Sequence, residues 1–252
     1  MYRCHILFYL AGQVCKAFEL IRQMEPFERF SHEFVESRTP EREYASRADV
    51  VLAGLEGMET AAAADFLAAL ISDLRENAEL IVLAERGQLS ALSEFLPRAK
   101  DLWVLPQTEE EIRFRLFRWQ QGYRMKQDYW QTSQYLEATI NNVPCLVWYK
   151  DRNGIHEKVN DSFCRTVNKT KQQVEGRGHA YIWDVEHDDP ACIESENEVM
   201  TKRKTFISDE VITTGAGMRT LSTYKSPLYD IDGSVMGTVG VAFDVTQERA
   251  YE

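Results

Sequence analysis

Cys145-Leu146-Val147-Trp148-Tyr149-Lys150-Asp151-Arg152-Asn153-Gly154-Ile155 is an apolar run that breaks into a turn. Six residues of strand character stop at Asp151-Arg152-Asn153-Gly154, where Asn-Gly supplies the positive-φ positions of a tight hairpin. Ile155 to Val159 then pairs back. Short helical segments follow from Asp161 to Val167, around Lys171 to Val174, and from Ala191 to Lys202. Three further strands come next, over Phe206–Thr213, Arg219–Tyr229 and Val235–Val245, the last two joined by the turn Asp230-Ile231-Asp232-Gly233. The pattern predicts an α+β domain over residues 135–247, an antiparallel sheet with its helices inserted between the second and third strands.

The segments before this hairpin have a different rhythm. Cys4–Leu10, Phe30–Val35, Val50-Val51-Leu52-Ala53, Leu80-Ile81-Val82-Leu83 and Leu102-Trp103-Val104-Leu105 are short apolar strands. Between them lie helical patterns at Gln13–Met24, after Thr39-Pro40-Glu41, at Ala61–Leu74 and near Leu89–Phe95. Continuous apolar strands alternating with helices predict a parallel sheet covered on both faces. Five such units predict a doubly wound, flavodoxin-like α/β domain over residues 1–118. From Thr108 a proline-free helix is expected, with Thr108 as N-cap, carboxylates in its first turn, and a span of 109–140. Ile112, Leu116, Trp119 and Tyr123 step by four, three and four along it, and Trp130, Leu136 and Ile140 continue the apolar positions. A seam of this kind predicts a parallel homodimer.

Composition bounds the rest. The chain has 252 residues and a net charge of −11, from 29 basic and 40 acidic side chains, so the basic footprint of a nucleic-acid binder is absent. No apolar run reaches the roughly 18 residues of a membrane span, and no signal peptide is read at the N-terminus, so a cytoplasmic location is expected. The five cysteines are widely spaced and free of Cys-x-x-Cys, which predicts neither a disulfide framework nor a zinc site. Glu186-His187-Asp188-Asp189 reads as a solvated acidic loop, and no metal is expected.

Residues 1–118 resemble response-regulator receiver domains. The resemblance implies a phosphoacceptor at the end of strand three, and that position falls on Gly54. Tyr9-Leu10-Ala11 stands where acidic residues are expected, Ala84 follows strand four, and Leu105 precedes Pro106 in place of lysine. Phosphoryl transfer needs a carboxylate nucleophile, a metal and a cation. The implied domain is therefore a pseudo-receiver that cannot be phosphorylated. Residues 135–247 resemble PAS domains through Asn142-Val143-Pro144, Tyr149 to Gly154, Val159-Asn160-Asp161-Ser162-Phe163, Tyr224 to Asp230, Gly237-Thr238-Val239-Gly240 and Asp244-Val245-Thr246. This implies a sensory pocket between sheet and helices, with Trp148, Asn160, Phe163, Trp183 and Tyr224 as candidates to line it. Asp244 and Thr246 would relay the signal.

A small organic ligand is an open expectation. A flavin site would need a reactive cysteine segment where Cys164 does not sit, and a haem site would need a histidine on the helix from Ala191 to Lys202. Neither cofactor is expected. No catalytic motif occurs in the 252 residues, and the predicted role is sensory, in a bacterial signal-transduction protein. The tandem arrangement implies a C-terminal effector in cis, a GGDEF diguanylate cyclase making cyclic di-GMP, for which residues 248–252 would begin the exit linker. The alternatives are the sensor region of a histidine kinase or a freestanding ligand-binding protein.

Overall fold

In a computed structural model of the chain, residues 2–214 and 217–249 are described, and they divide into two compact units, 1–131 and 132–252. The tail Ala250-Tyr251-Glu252, part of the expected exit linker, lies outside the described residues.

The first unit runs β1 (Cys4–Gly12), α1 (Lys16–Arg22), β2 (Phe30–Ser37), α2 (Arg42–Ala45), β3 (Val50–Gly54), α3 (Thr60–Asp73), β4 (Glu79–Glu85), α4 (Leu89–Leu92) and β5 (Asp101–Leu105). All five strands are parallel, in the order β2-β1-β3-β4-β5. Strand side chains alternate between two cores. Ile6, Phe8, Leu10, Val50 and Leu52 pack with Phe18 and Ile21 of α1, whereas Tyr9, Ala11, Val51 and Ala53 pack with Leu67 and Leu70 of α3. Burial on both faces is why these strands read as unbroken apolar runs.

The helix α5 (Glu109–Asn142) is 34 residues long and opens with a reciprocal cap. Thr108 N–H donates to Glu111 Oε2 at 2.7 Å, and Glu111 N–H donates to Thr108 Oγ1 at 3.2 Å. Its residues Ile112, Leu116, Trp119 and Tyr123 are buried in the same core as Phe8 and Phe18. These four are therefore not the intermolecular seam the sequence predicts. Their heptad-like spacing serves the sheet of their own unit. Trp119 Nε1 also donates to the buried Glu79 carboxylate at 2.9 Å, which Lys126 approaches to 3.3 Å. Trp130 and Leu136, the other two residues of the expected seam, are exposed.

The second unit holds the end of α5, then β6 (Leu146–Asp151), β7 (His156–Val159), α6 (Asp161–Val167), α7 (Lys171–Val174), α8 (His179–Trp183), α9 (Pro190–Lys202), β8 (Phe206–Thr214), β9 (Gly217–Tyr229), β10 (Val235–Asp244) and α10 (Thr246–Arg249). Its sheet is antiparallel, in the order β7-β6-β10-β9-β8, with all four middle helices between the second and third strands in sequence. Among the described residues no helix is long and apolar enough to cross a membrane.

At the end of β3, backbone and backbone nearly touch. Gly12 has φ +106°, and a Cβ there would stand 2.2 Å from the Gly54 carbonyl oxygen; a Cβ on Gly54 would stand 2.5 Å from the Gln13 carbonyl oxygen. No side chain fits at Gly54 unless the β1–α1 loop moves. Gly54→Asp is expected to destabilise the chain by about 2 kcal/mol or more in urea unfolding, the scale of overpacked sites; an unchanged midpoint would contradict the fit described here.

Candidate functional site

The inward face of the second sheet is set by strand alternation. Cross-strand pairs Trp148↔Gly240 and Lys150↔Thr238, with Gly240↔Lys225 and Ala242↔Thr223, put these residues on one face. One end of that face is apolar. Trp148 lies over Gly240, where a Cβ would meet its indole at 2.1 Å. Phe163 of α6 sits 6.0 Å from Trp148 and 5.8 Å from Trp183, ring centre to ring centre. The structure thus brings Trp148, Phe163 and Trp183 together in one apolar cluster with Val159, Val167 and Ile182.

Two other pocket candidates fall elsewhere. Tyr224 points to the outward face, 41% exposed and against Phe243, because Thr223 and Lys225 on either side point in. Asn160 is fully buried, and its amide is consumed by backbone. Nδ2 donates to the carbonyls of Ile140 (2.7 Å) and Cys145 (2.8 Å), while Oδ1 accepts from Val147 N–H (3.1 Å) and Phe163 N–H (3.0 Å). All four bonds an amide can make are made. Asn160 is an architectural residue.

The other end of the inward face is charged, and the sequence reading passed over it. Lys150 of β6 and Lys225 of β9 are 3% and 1% exposed. Lys150 Nζ donates to Glu196 Oε1 of α9 at 2.5 Å. Lys225 Nζ donates to Ser195 Oγ at 2.9 Å and to Glu210 Oε1 of β8 at 2.8 Å. The Cys192 thiol lies between them, 3.5 Å from Lys225 and 3.8 Å from Lys150, and burial pushes its pKa up. The signal was available in the sequence. Lys150 and Lys225 follow Trp148 and Thr223 by two, so each falls in the inward register of its strand, and Cys192 and Glu196 share a helix face at i, i+4.

A pocket of about 140 Å³ opens over this charged end. It is lined by Lys150, Arg152, Asn153 and Gly154 of the first hairpin, His179 of α8, Asp188 and Asp189, and Cys192, Ile193, Glu196, Asn197 and Met200 of α9. An apolar cavity of comparable size holds one benzene-sized molecule. Among the described residues no group of histidine, cysteine and carboxylate side chains could hold a metal ion.

At the sheet's exit, Asp244 Oδ1 accepts from Thr246 N–H at 3.1 Å and from Thr246 Oγ1 at 2.5 Å, and Arg219 pairs with its other oxygen. Thr246 Oγ1 in turn accepts from Thr220 N–H at 3.0 Å. The hydrogen bonds from Thr246 hold the Asp244 carboxyl below the usual range. Asp244 and Thr246 thus tie the start of α10 to β9.

Residues 140–250 match the family model for the PAS fold. Solved structures resemble the chain at low identity. A PAS domain of a Colwellia psychrerythraea protein is 14% identical with a TM-score of 0.40, covering 46% of this chain and 98% of that one. The PAS domain of Bordetella pertussis BvgS is 18% identical with a TM-score of 0.34, covering 48% and 90%. VqmA bound to DPO is 15% identical with a TM-score of 0.39, covering 44% and 57%. No curated protein matches the chain. The region 140–250 has the PAS fold, and the family match lies wholly within the second unit.

Two outcomes are expected of this site. Burial, reinforced by the Lys150 ammonium, pushes the His156 pKa down from 6.5 to about 3. The folded state therefore resists a proton that the unfolded chain accepts, so stability is complete above about pH 6.5 and is lost as pH falls toward 3. The loss is on the order of 5 kcal/mol across that window, and His156→Leu should flatten this limb in acid-titrated urea melts. Separately, Asn160→Ala is expected to cost about 3 kcal/mol, since it strands buried backbone groups at four points; a cost below about 1 kcal/mol would refute the architectural assignment.

Proposed function

We propose that the chain is the sensory and regulatory region of a bacterial signal-transduction protein, whose PAS domain reads a small organic molecule. The observation that carries this reading is the pocket over Lys150, Cys192 and Glu196 within a PAS fold. A thermal-shift screen of small organic molecules tests it: stabilising compounds should lose their effect in an Ile193→Trp variant, whose indole fills the pocket. A screen without such pocket-dependent compounds would overturn the reading. The purified protein is expected to be colourless above the aromatic band, because neither flavin nor haem is proposed.

For the first unit we propose a receiver-like scaffold used for interaction rather than phosphorylation. The parallel order β2-β1-β3-β4-β5 supports a flavodoxin-like relationship, and Gly54 at the acceptor position supports the loss of chemistry. Acetyl phosphate with Mg²⁺ should add no phosphoryl mass to the intact protein, and a stoichiometric base-labile adduct would refute this.

The proposed partner is a second copy in parallel, and the seam differs from the one the sequence suggested. Phe114, Phe117, Met125 and Tyr129 of the first unit are all exposed. Helical periodicity sets them on the side of α5 opposite Ile112, Leu116, Trp119 and Tyr123. An apolar stripe of this kind favours self-association. Light scattering should report a dimer that Met125→Glu with Tyr129→Glu converts to monomer; a wild-type monomer would end the proposal. The net charge of −11 supports a partner other than nucleic acid. Asp244 and Thr246 are proposed to carry the signal out of β10. The effector in cis, a GGDEF diguanylate cyclase or alternatively a histidine kinase, is proposed from the tandem resemblance, and the reading frame beyond codon 252 tests it.

A further inference from the structure

We propose that the PAS pocket takes a small organic cation, of the primary-amine class, held by the carboxylates of Glu196, Asp188 and Asp189. The inference rests on the sensor reading above and specifies its ligand.

The pocket's polarity carries the argument. Three carboxylates line it against two cationic side chains. Both cations are already engaged: Lys150 with Glu196 Oε1, and Arg152 through Nε with the Val235 carbonyl. His179 also lines the pocket, and burial lowers its pKa, so its ring is neutral at pH 7 and adds no positive charge. The carboxylates are engaged only on one side. Glu196, whose side chain is 9% exposed, receives Lys150 and Cys192 on Oε1 and, among the described residues, no donor on Oε2. Oε2 stands 3.8 Å from where a Cβ on Gly154 would lie, at the pocket wall. Asp188 accepts Ala180 N–H through Oδ1, and Asp189 accepts Ala191 N–H through Oδ1, which leaves the second oxygen of each available. These oxygens are open to solvent, Asp188 and Asp189 lying at the surface, and an ammonium group brings up to three donors and a compensating charge. Ile193 and Met200 supply apolar wall for a short carbon chain. At about 140 Å³ the space suits a molecule of roughly six heavy atoms.

The test compares three probes of nearly equal size on the full chain at pH 7.5 and constant ionic strength: n-butylamine, n-butanol and n-butyrate. Only n-butylamine should raise the melting temperature in a saturable way and give a calorimetric isotherm. Asp188→Asn with Asp189→Asn keeps the Asp189 helix cap, because asparagine caps as well as aspartate. That double variant should weaken n-butylamine at least tenfold, and Ile193→Trp should abolish its binding. Glu94→Gln, in the first unit, should change nothing. Equal binding of n-butanol would show that the carboxylates do not recognise the ligand. Preference for n-butyrate would assign recognition to Lys150 instead. Amine binding that survives Ile193→Trp would place it outside the pocket. Each of these, or the failure of n-butylamine to bind at all, overturns the amine proposal. Pocket-dependent hits of other chemistry in the screen described above would leave the sensor reading standing, and their absence would remove both.

Discussion

The side-chain amide of Asn160 fixes the second unit. One buried group holds the last turn of α5, the entry to β6 and the first turn of α6, using every hydrogen bond it has. Each of those segments ends or begins with backbone groups that no regular element satisfies, and burial makes their pairing obligatory. Glu137 of α5 reinforces the same junction from the surface, pairing with Lys158 and Lys171. The helix therefore enters the PAS fold as a continuous part of its hydrogen-bonded framework. Displacement of β6 or α6 must be felt at Ile140, and movement of Ile140 must be felt in the sheet.

The inward face of that sheet divides by chemistry. Trp148, Phe163 and Val159 fill one end at core density, while the other end buries two ammonium groups with their carboxylates. Ion pairs this deep contribute little net stability against an apolar alternative, since desolvation offsets their attraction. In the proposed sensor reading, their value lies in what a pocket beside them recognises. Two neighbouring polar atoms, Trp148 Nε1 and Thr223 Oγ1, are buried without a partner, so this face is less completely satisfied than the junction at Asn160.

Fold was legible in the sequence because its signals are local. Apolar runs bounded by Gly12, Gly54 and the turns at Asn153-Gly154 and Asp232-Gly233 marked the strands, and Thr108 with Glu111 marked the start of α5. The site was less legible. Aromatic residues drew attention to Trp148, Phe163 and Trp183, yet large rings pack against each other more readily than they leave space. Tyr224 was lost to strand parity, a difference of one position from Lys225. The stripe Ile112, Leu116, Trp119 and Tyr123 shows the limit of spacing as evidence: periodicity says which face of a helix is apolar, and says nothing of whether the cover comes from the same chain.

The close approach of Gly12 and Gly54 has a consequence for descent. With the Gln13 carbonyl 2.5 Å from any Cβ at position 54, a carboxylate cannot be installed there by one codon change without displacing the loop that follows β1. A side chain at position 54 would require that loop to be rebuilt first. Until then this corner of the first unit is a place where only backbone fits, and one residue's substitution is a question about two strands and the loop between them.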